Sequence, residues 1–255
     1  MTAVDNLRFL ECCEKVKNNL NKKDGIGTLG EKTLHAVLKN YFEPYEDNQE
    51  ISLGGYVADI AGENGIIEIQ TRNFTPLRRK LEAFLEYTKV TVVYPVAKTK
   101  YVCWLDNETG ELTTKRKSPK TGTIYDAVKE LYKIKYTLDN PNFNLCIVML
   151  EVEEIRNLNG WSNDKKRGSS RYDRIPLNLL DEIYFHCPDD FRKFLPNGLP
   201  DDFTSADFAK CAKIKRNIAQ ITLNLLSYLE IVKKTGTQGR NNLYKIIERT
   251  QQNEF

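Results

Sequence analysis

The chain has no C-x-x-C pair, although it carries six cysteines (Cys12, Cys13, Cys103, Cys146, Cys187 and Cys211). Cysteines scattered in this way supply neither the ligand spacing of a zinc site nor a disulfide framework, and they fit a reducing compartment. No apolar run is long enough to span a bilayer, and the opening residues MTAVDNLRFLECCEKVKNN lack the layout of a signal peptide. The expectation is a cytoplasmic protein with no membrane partner. Charge of one sign is not in excess either. The formal net charge is +3, so any contact with nucleic acid has to rest on local clusters. Histidine is scarce, with only His35 and His186. Neither has a serine or cysteine nucleophile pattern around it, so both read as structural.

What is present is a composition of 40% hydrophobic and 29% charged residues over 255 positions. That suits a soluble globular protein of one large domain or two unequal ones. Periodicity predicts helices over 4–20 and 27–43, the second capped by Thr28 with Leu34, Val37, Leu38 and Phe42 as its apolar stripe. A short strand over 49–53 and a Gly54-Gly55 turn follow. The stretch YVADIAGENGIIEIQTRNF, residues 56–74, then reads as two strands joined by Glu63-Asn64-Gly65. Asp59 falls late in the first strand. Glu68 and Gln70 are two apart in the second, so their side chains leave one face. An otherwise apolar strand has no packing reason to place Glu and Gln together. Two carboxylates and an amide oxygen form an oxygen-rich set suited to Mg²⁺. Glu31, near the start of the second helix, has two readings: a first-turn acid favoured by the helix dipole, or a carboxylate aimed at the strand pair. A third helix over 75–89, capped by Thr75 with Pro76 at its first position, and a buried strand over 90–96 complete the series.

Helix with Glu31, then Asp59, then eight intervening residues, then Glu68-Ile69-Gln70, then a helix and an apolar strand, resembles the PD-(D/E)XK nuclease superfamily over residues 27–105. The resemblance implies an α/β restriction-endonuclease-like αβββαβ core with a mixed sheet. It also implies metal-assisted hydrolysis of phosphodiesters. Asp59, Glu68 and the Ile69 carbonyl would hold Mg²⁺, for which Mn²⁺ substitutes, and Glu31 and Gln70 would orient the attacking water. Two positions depart from the family pattern. Ala58 stands where proline precedes the aspartate, and Gln70 stands where lysine is usual. Gln is neither a cation nor a practical base, although some active restriction enzymes carry it there. Arg72 reads either as a cation near the scissile phosphate or as a solvated sheet edge.

Downstream, YVCWLD and ELTTKRKS read as a hairpin, residues 123–136 as a helix, and 144–155 as a buried strand. Residues 164–174 read as a basic loop, and the proline-bearing segment from 176 as a connection. The C-terminal pattern is a short helix started by Thr204 or Ser205, a tight turn, and a long helix with Ile218, Ile221, Leu225, Tyr228 and Leu229 inward. A basic tip over 233–240 and a strand over 242–246 follow. This resembles a winged helix-turn-helix over residues 186–250. That resemblance implies DNA contacts from Lys213, Lys215, Arg216, Asn217 and Gln220 at the start of the second helix. It also implies contacts from Lys233, Lys234, Gln238, Arg240 and Asn241 in the wing.

The expectation is a nuclease-like domain over 1–175 and a winged helix domain over 176–255. Together they make a Mg²⁺-dependent deoxyribonuclease, restriction-type or repair-related, with DNA as partner and a homodimer for double-strand cuts. The alternative is a catalytically inactive DNA-binding regulator in which Gln70 marks lost chemistry. A third reading is an interaction protein without a nucleic-acid role.

Overall fold

The computed structural model describes residues 4–22, 33–106, 108–157 and 170–248. Glu31 and Thr28, and residues 164–169 of the expected basic loop, lie outside the described residues. The fold is mixed α/β with a mixed sheet, and the chain forms two compact units. The first comprises Met1–Arg72, Thr91–Thr123 and Cys146–Ile183. The second comprises Asn73–Val90, Ile124–Leu145 and Tyr184–Phe255. The units are thus discontinuous in sequence.

The first unit opens with α1 (Asn6–Lys22) and α2 (Thr33–Phe42). The two helices pack on each other, with Phe9 and Tyr41 edge-to-face at 5.5 Å. Strands β1 (Gln49–Leu53), β2 (Tyr56–Gly62) and β3 (Gly65–Ile69) then run as an antiparallel meander. Leu53 pairs with Tyr56, which leaves Gly54 and Gly55 as a two-residue loop at φ 56° and 82°. A loop with positive φ at both positions matches the twist of its strands and all but demands glycine. Next come α3 (Leu77–Leu85), which groups with the second unit, and the 16-residue β4 (Val90–Leu105). With β5 (Arg116–Lys117), β6 (Phe143–Asn157) and β7 (Ser170–Phe185) the sheet has seven strands in the order β1-β2-β3-β4-β6-β7, β5 pairing with β4. The unbroken buried run Cys146–Leu150 in β6 is the pattern of a strand covered on both faces.

Four expectations require correction here. The strands expected at 90–96 and 101–106 are one strand, β4, which pairs with β5 through Tyr101–Lys117 and Val102–Arg116. The segment expected to be a loop and a connection around 170–185 is β7, so a domain boundary after residue 175 would fall inside a strand. Pro176 argued against a strand, but β7 ends the strand order, and an edge strand accepts proline because one side of its backbone needs no ladder donor. Thr75 does not cap α3. Pro76 takes the N-cap position, and no side chain caps the helix. The expected helix over 123–136 is broken into a 3₁₀ turn, α4 (Val128–Lys133) and a second 3₁₀ turn.

In the second unit, β8 (Asp202–Thr204) leads into α5 (Ser205–Ala212), α6 (Arg216–Tyr228), β9 (Val232–Gln238) and β10 (Asn241–Ile246). These strands form a three-stranded sheet in the order β8-β10-β9. Thr204 starts α5 with a capping box: its hydroxyl accepts from the Asp207 amide, and the Asp207 carboxylate accepts from the Thr204 amide at 2.8 Å. Lys213 closes α5 in the left-handed conformation at φ 55°. The inward stripe of α6 is Ala219, Thr222, Leu223, Leu225 and Leu226, rotated from the expected one so that Ile218 and Ile221 are half-buried. Residues 233–238 of the expected basic tip belong to β9, and only Gly239-Arg240 form the turn between β9 and β10. The aromatic core includes Phe185, Phe191 and Phe194, with ring centroids 5.0, 5.4 and 6.1 Å apart.

Candidate functional site

The β2–β3 register places Ile60 opposite Ile67 and Ala61 opposite Ile66. Continued one step, that register would bring Asp59 opposite Glu68, and opposed residues of an antiparallel pair share a face. Ala58 and Ile60 fill the other face and are buried, at 0% and 2% exposure. Glu68 is fully buried, whereas the Asp59 side chain keeps 20% of its surface exposed. Asp59 Oδ2 accepts the Ile69 amide at 2.7 Å, a bond that ties the carboxylate of β2 to the end of β3.

Gln70 follows β3 directly and donates its amide to the Val93 carbonyl of β4 at 2.9 Å. It is half-buried. The expected same-face ladder from Glu68 through Gln70 to Arg72 stops there. β3 ends at Ile69, and Arg72 is exposed in a bend beyond the strand. Next to it, the Thr71 carbonyl accepts from Arg174 Nη2 at 2.9 Å, which anchors the strand end to β7. Burial, and then neighbouring Arg171, pull the Arg174 guanidinium down to about 10.

His35 is the residue that sequence reasoning missed. Its Nε2 lies 3.3 Å from Asp59 Oδ2, and its side chain is 22% exposed. Nothing local in the sequence signals this contact, because His35 lies on α2 and Asp59 on β2.

Asp59, Glu68 and the Ile69 carbonyl match the hard oxygen donors that Mg²⁺ takes. Among the described residues no group of three or more His, Cys, Asp and Glu could hold a metal ion. A two-carboxylate set nonetheless suits Mg²⁺, which keeps several waters and binds through one or two carboxylates plus substrate phosphates. The residues therefore fit the ion as a partner shared with substrate, not as a closed protein cage.

A second charged cluster lies in the same unit. Glu154, on β6 and only 2% exposed, is met by Arg156 at 2.5 Å and by Lys100 and Arg171 at 3.5 Å each. Burial works to raise its carboxyl, but Lys100, Arg156 and Arg171 together outweigh it and hold the group below its ordinary value. A carboxylate with a lowered folded-state pKa stabilises the fold fully above the unfolded value of roughly 4.3, and that contribution disappears as pH falls through the folded value. Thermal melts from pH 7 down to pH 3 are therefore expected to show Glu154→Gln less stable than wild type at neutrality. The gap should close below about pH 4. A gap that stays constant across the series would contradict the ion-pair account.

In the second unit the start of α6 is exposed and basic. Lys213, Lys215, Arg216, Asn217 and Gln220 are all exposed, as are Lys233, Lys234, Gln238 and Arg240 of the β9–β10 hairpin. Asn241 is half-buried and accepts from Arg216 Nη2, while Arg216 Nε reaches Ser205 Oγ at 3.4 Å. Arg216 thus links α5, α6 and the hairpin. His186 stacks on Tyr184 and contacts Asn144. No helix among the described residues is long and apolar enough to cross a membrane.

Comparison with known proteins gives two matches. The family described as "Domain of unknown function (DUF8091)" matches residues 32–186. A protein of Treponema pallidum (strain Nichols) described as "Uncharacterized protein" is 34% identical over 227 residues, covering 86% of this chain and 87% of its own. No solved structure matches.

Proposed function

This chain belongs to the DUF8091 family, whose description carries no activity, and we propose from the site that it is a Mg²⁺-dependent DNA endonuclease. In this reading a restriction-endonuclease-like PD-(D/E)XK core cuts, and a C-terminal winged helix-turn-helix holds DNA. The observation that supports it is the Asp59 Oδ2 bond to the Ile69 amide at 2.7 Å, which joins the aspartate of β2 to the end of β3 beside Glu68 and Gln70. The order of α2, the β1-β2-β3 meander, α3 and β4 supports the αβββαβ reading. The order of β8, α5, α6 and the β9–β10 hairpin supports the winged-helix reading.

Asp59 and Glu68, with the Ile69 carbonyl, would hold the ion. When bound, Mg²⁺ neutralises charge on the phosphoryl oxygens and lowers the pKa of bound water. The protein's own residues do the positioning. The Ile69 amide and His35 fix the Asp59 carboxylate, and the Gln70 amide side chain orients water without supplying charge. With lysine absent at position 70, the His35 imidazole stands beside the Asp59 carboxylate, Nε2 to Oδ2 at 3.3 Å. Glu31, outside the described residues, is the further acid of this reading. Arg72, exposed beyond β3, contacts the DNA backbone.

On DNA, Lys213, Lys215, Arg216, Asn217 and Gln220 enter the major groove, and Lys233, Lys234, Gln238, Arg240 and Asn241 meet the backbone beside it. A restriction-type or repair role, a homodimer for double-strand cuts and a cytoplasmic setting complete the proposal. The second reading, an inactive DNA-binding regulator, is favoured by one observation: Asp59 Oδ2 already satisfies the Ile69 amide and stands beside His35.

Plasmid incubated with Mg²⁺ or Mn²⁺ should be nicked or cut, and EDTA should stop it. DNA that is retained but never cut with either ion would select the regulator. In the binding arm, Arg216→Ala and Arg240→Ala are each expected to weaken duplex binding and to lower the slope of log affinity against log salt by about one. Slopes that stay at the wild-type value would remove these residues from the interface.

A further inference from the structure

We propose that a groove in the second unit binds unpaired nucleotides of single-stranded DNA, separately from the duplex contacts of α6 and the β9–β10 hairpin. The groove encloses about 320 Å³ and is lined by Thr75, Arg78, Tyr132, Lys133, Lys135 and Tyr136. A space of this size suits about one nucleotide.

Its aromatic side chains face water. Tyr136 is 68% exposed and Tyr132 43%. Large aromatics are normally the first residues taken out of solvent, so two beside one groove mark a contact surface. Tyr136 is also held in place: its ring meets Tyr228 edge-on, at 5.5 Å and 88°.

Its charge is fixed as well. Lys135 Nζ lies 5.4, 5.0 and 5.6 Å from the ring centroids of Tyr132, Tyr136 and Tyr228, and it donates to Asn224 Oδ1 at 3.1 Å. The ammonium is thus pinned among the rings by cation–π attraction and one hydrogen bond. Lys133 is neutralised by Glu130 at 2.8 Å, so Arg78 and Lys135 supply the net positive charge. The groove therefore offers flat apolar faces for a planar group and cations for a nearby anion.

A nucleotide combines those two chemistries. Duplex DNA hides its base faces inside the stack, and only an unpaired base can lie on Tyr132 or Tyr136. Asn224 and Tyr228 occupy the C-terminal half of α6, eight and twelve residues beyond Arg216. That places them about 12–18 Å along the helix from the duplex-reading end.

The test is fluorescence anisotropy in EDTA, so it does not depend on cleavage or on a bound metal. Labelled oligothymidylate and a labelled hairpin duplex of equal charge serve as probes. Tyr136→Ala and Lys135→Gln are each expected to weaken oligothymidylate binding about tenfold, to leave the hairpin affinity unchanged, and to melt at the wild-type temperature. Tyr136→Trp should restore single-strand binding, because stacking needs an aromatic face and not a hydroxyl. Unchanged oligothymidylate affinity in both variants overturns the proposal. Equal losses on both probes, or competition by inorganic polyphosphate as strong in Tyr136→Ala as in wild type, do so too, since each reduces the groove to a general patch of charge.

Discussion

Asp59→Asn should remove Mg²⁺-dependent cleavage by about a thousandfold or more in kcat/KM. The substitution keeps the side-chain volume and leaves an oxygen to accept the Ile69 amide, so the β2–β3 tie at 2.7 Å survives. What disappears is one of the two carboxyl groups that would hold the ion. A metal ion contributes several kcal/mol of transition-state charge stabilisation, and each ~1.36 kcal/mol is tenfold in rate. The ion's binding should fall in parallel, which Mn²⁺ titration followed by electron paramagnetic resonance measures without reference to activity. Glu68→Gln should behave alike and also tests a fully buried position. Undiminished cleavage in Asp59→Asn would move the chemistry elsewhere. Undiminished Mn²⁺ binding with lost cleavage would leave Asp59 an orienting role only.

Phe194→Ala is expected to destabilise the fold by about 3–5 kcal/mol, the range for emptying a buried phenylalanine site. Phe194 is 1% exposed and its ring packs against Phe185 at 5.4 Å and Phe191 at 6.1 Å. The Tyr125 ring adds a fourth aromatic at 5.9 Å, and its hydroxyl donates to the Phe194 carbonyl at 2.9 Å. That hydrogen bond goes to backbone and survives the substitution, so the loss reports packing. Against a typical total stability of 5–15 kcal/mol, the variant should be partly unfolded at modest urea concentrations. Urea titration by circular dichroism gives the value. A change under about 1 kcal/mol would mean that the cluster collapses around the cavity.

The hairpin that carries the candidate site was legible because its signals are local. Alternation and the Glu63-Asn64 turn set the register, in which Gly62 pairs with Gly65 and Ile60 with Ile67. The Thr204 cap and the Gly239 turn are local in the same way. What stayed hidden depends on partners far along the chain. Pro176 looked like a break, yet it lies in an edge strand, where a missing donor costs little. The inward stripe of α6 was set by its packing on α4 and α5, which its own periodicity does not contain. Glu154 meets Lys100 and Arg171 across intervals of 54 and 17 residues, so no window of sequence shows the cluster.

Lys213 occupies the left-handed position between α5 and α6 at φ 55°. Glycine is the ordinary occupant there, and an L-residue with a side chain gives up roughly 1–2 kcal/mol to adopt it. Lysine brings no packing in return, because its side chain is exposed. Folding stability alone therefore does not account for the residue. The link between the helices is built slightly less stable than it needed to be, and what that concession retains is a cation pointing outward at the junction of the pair.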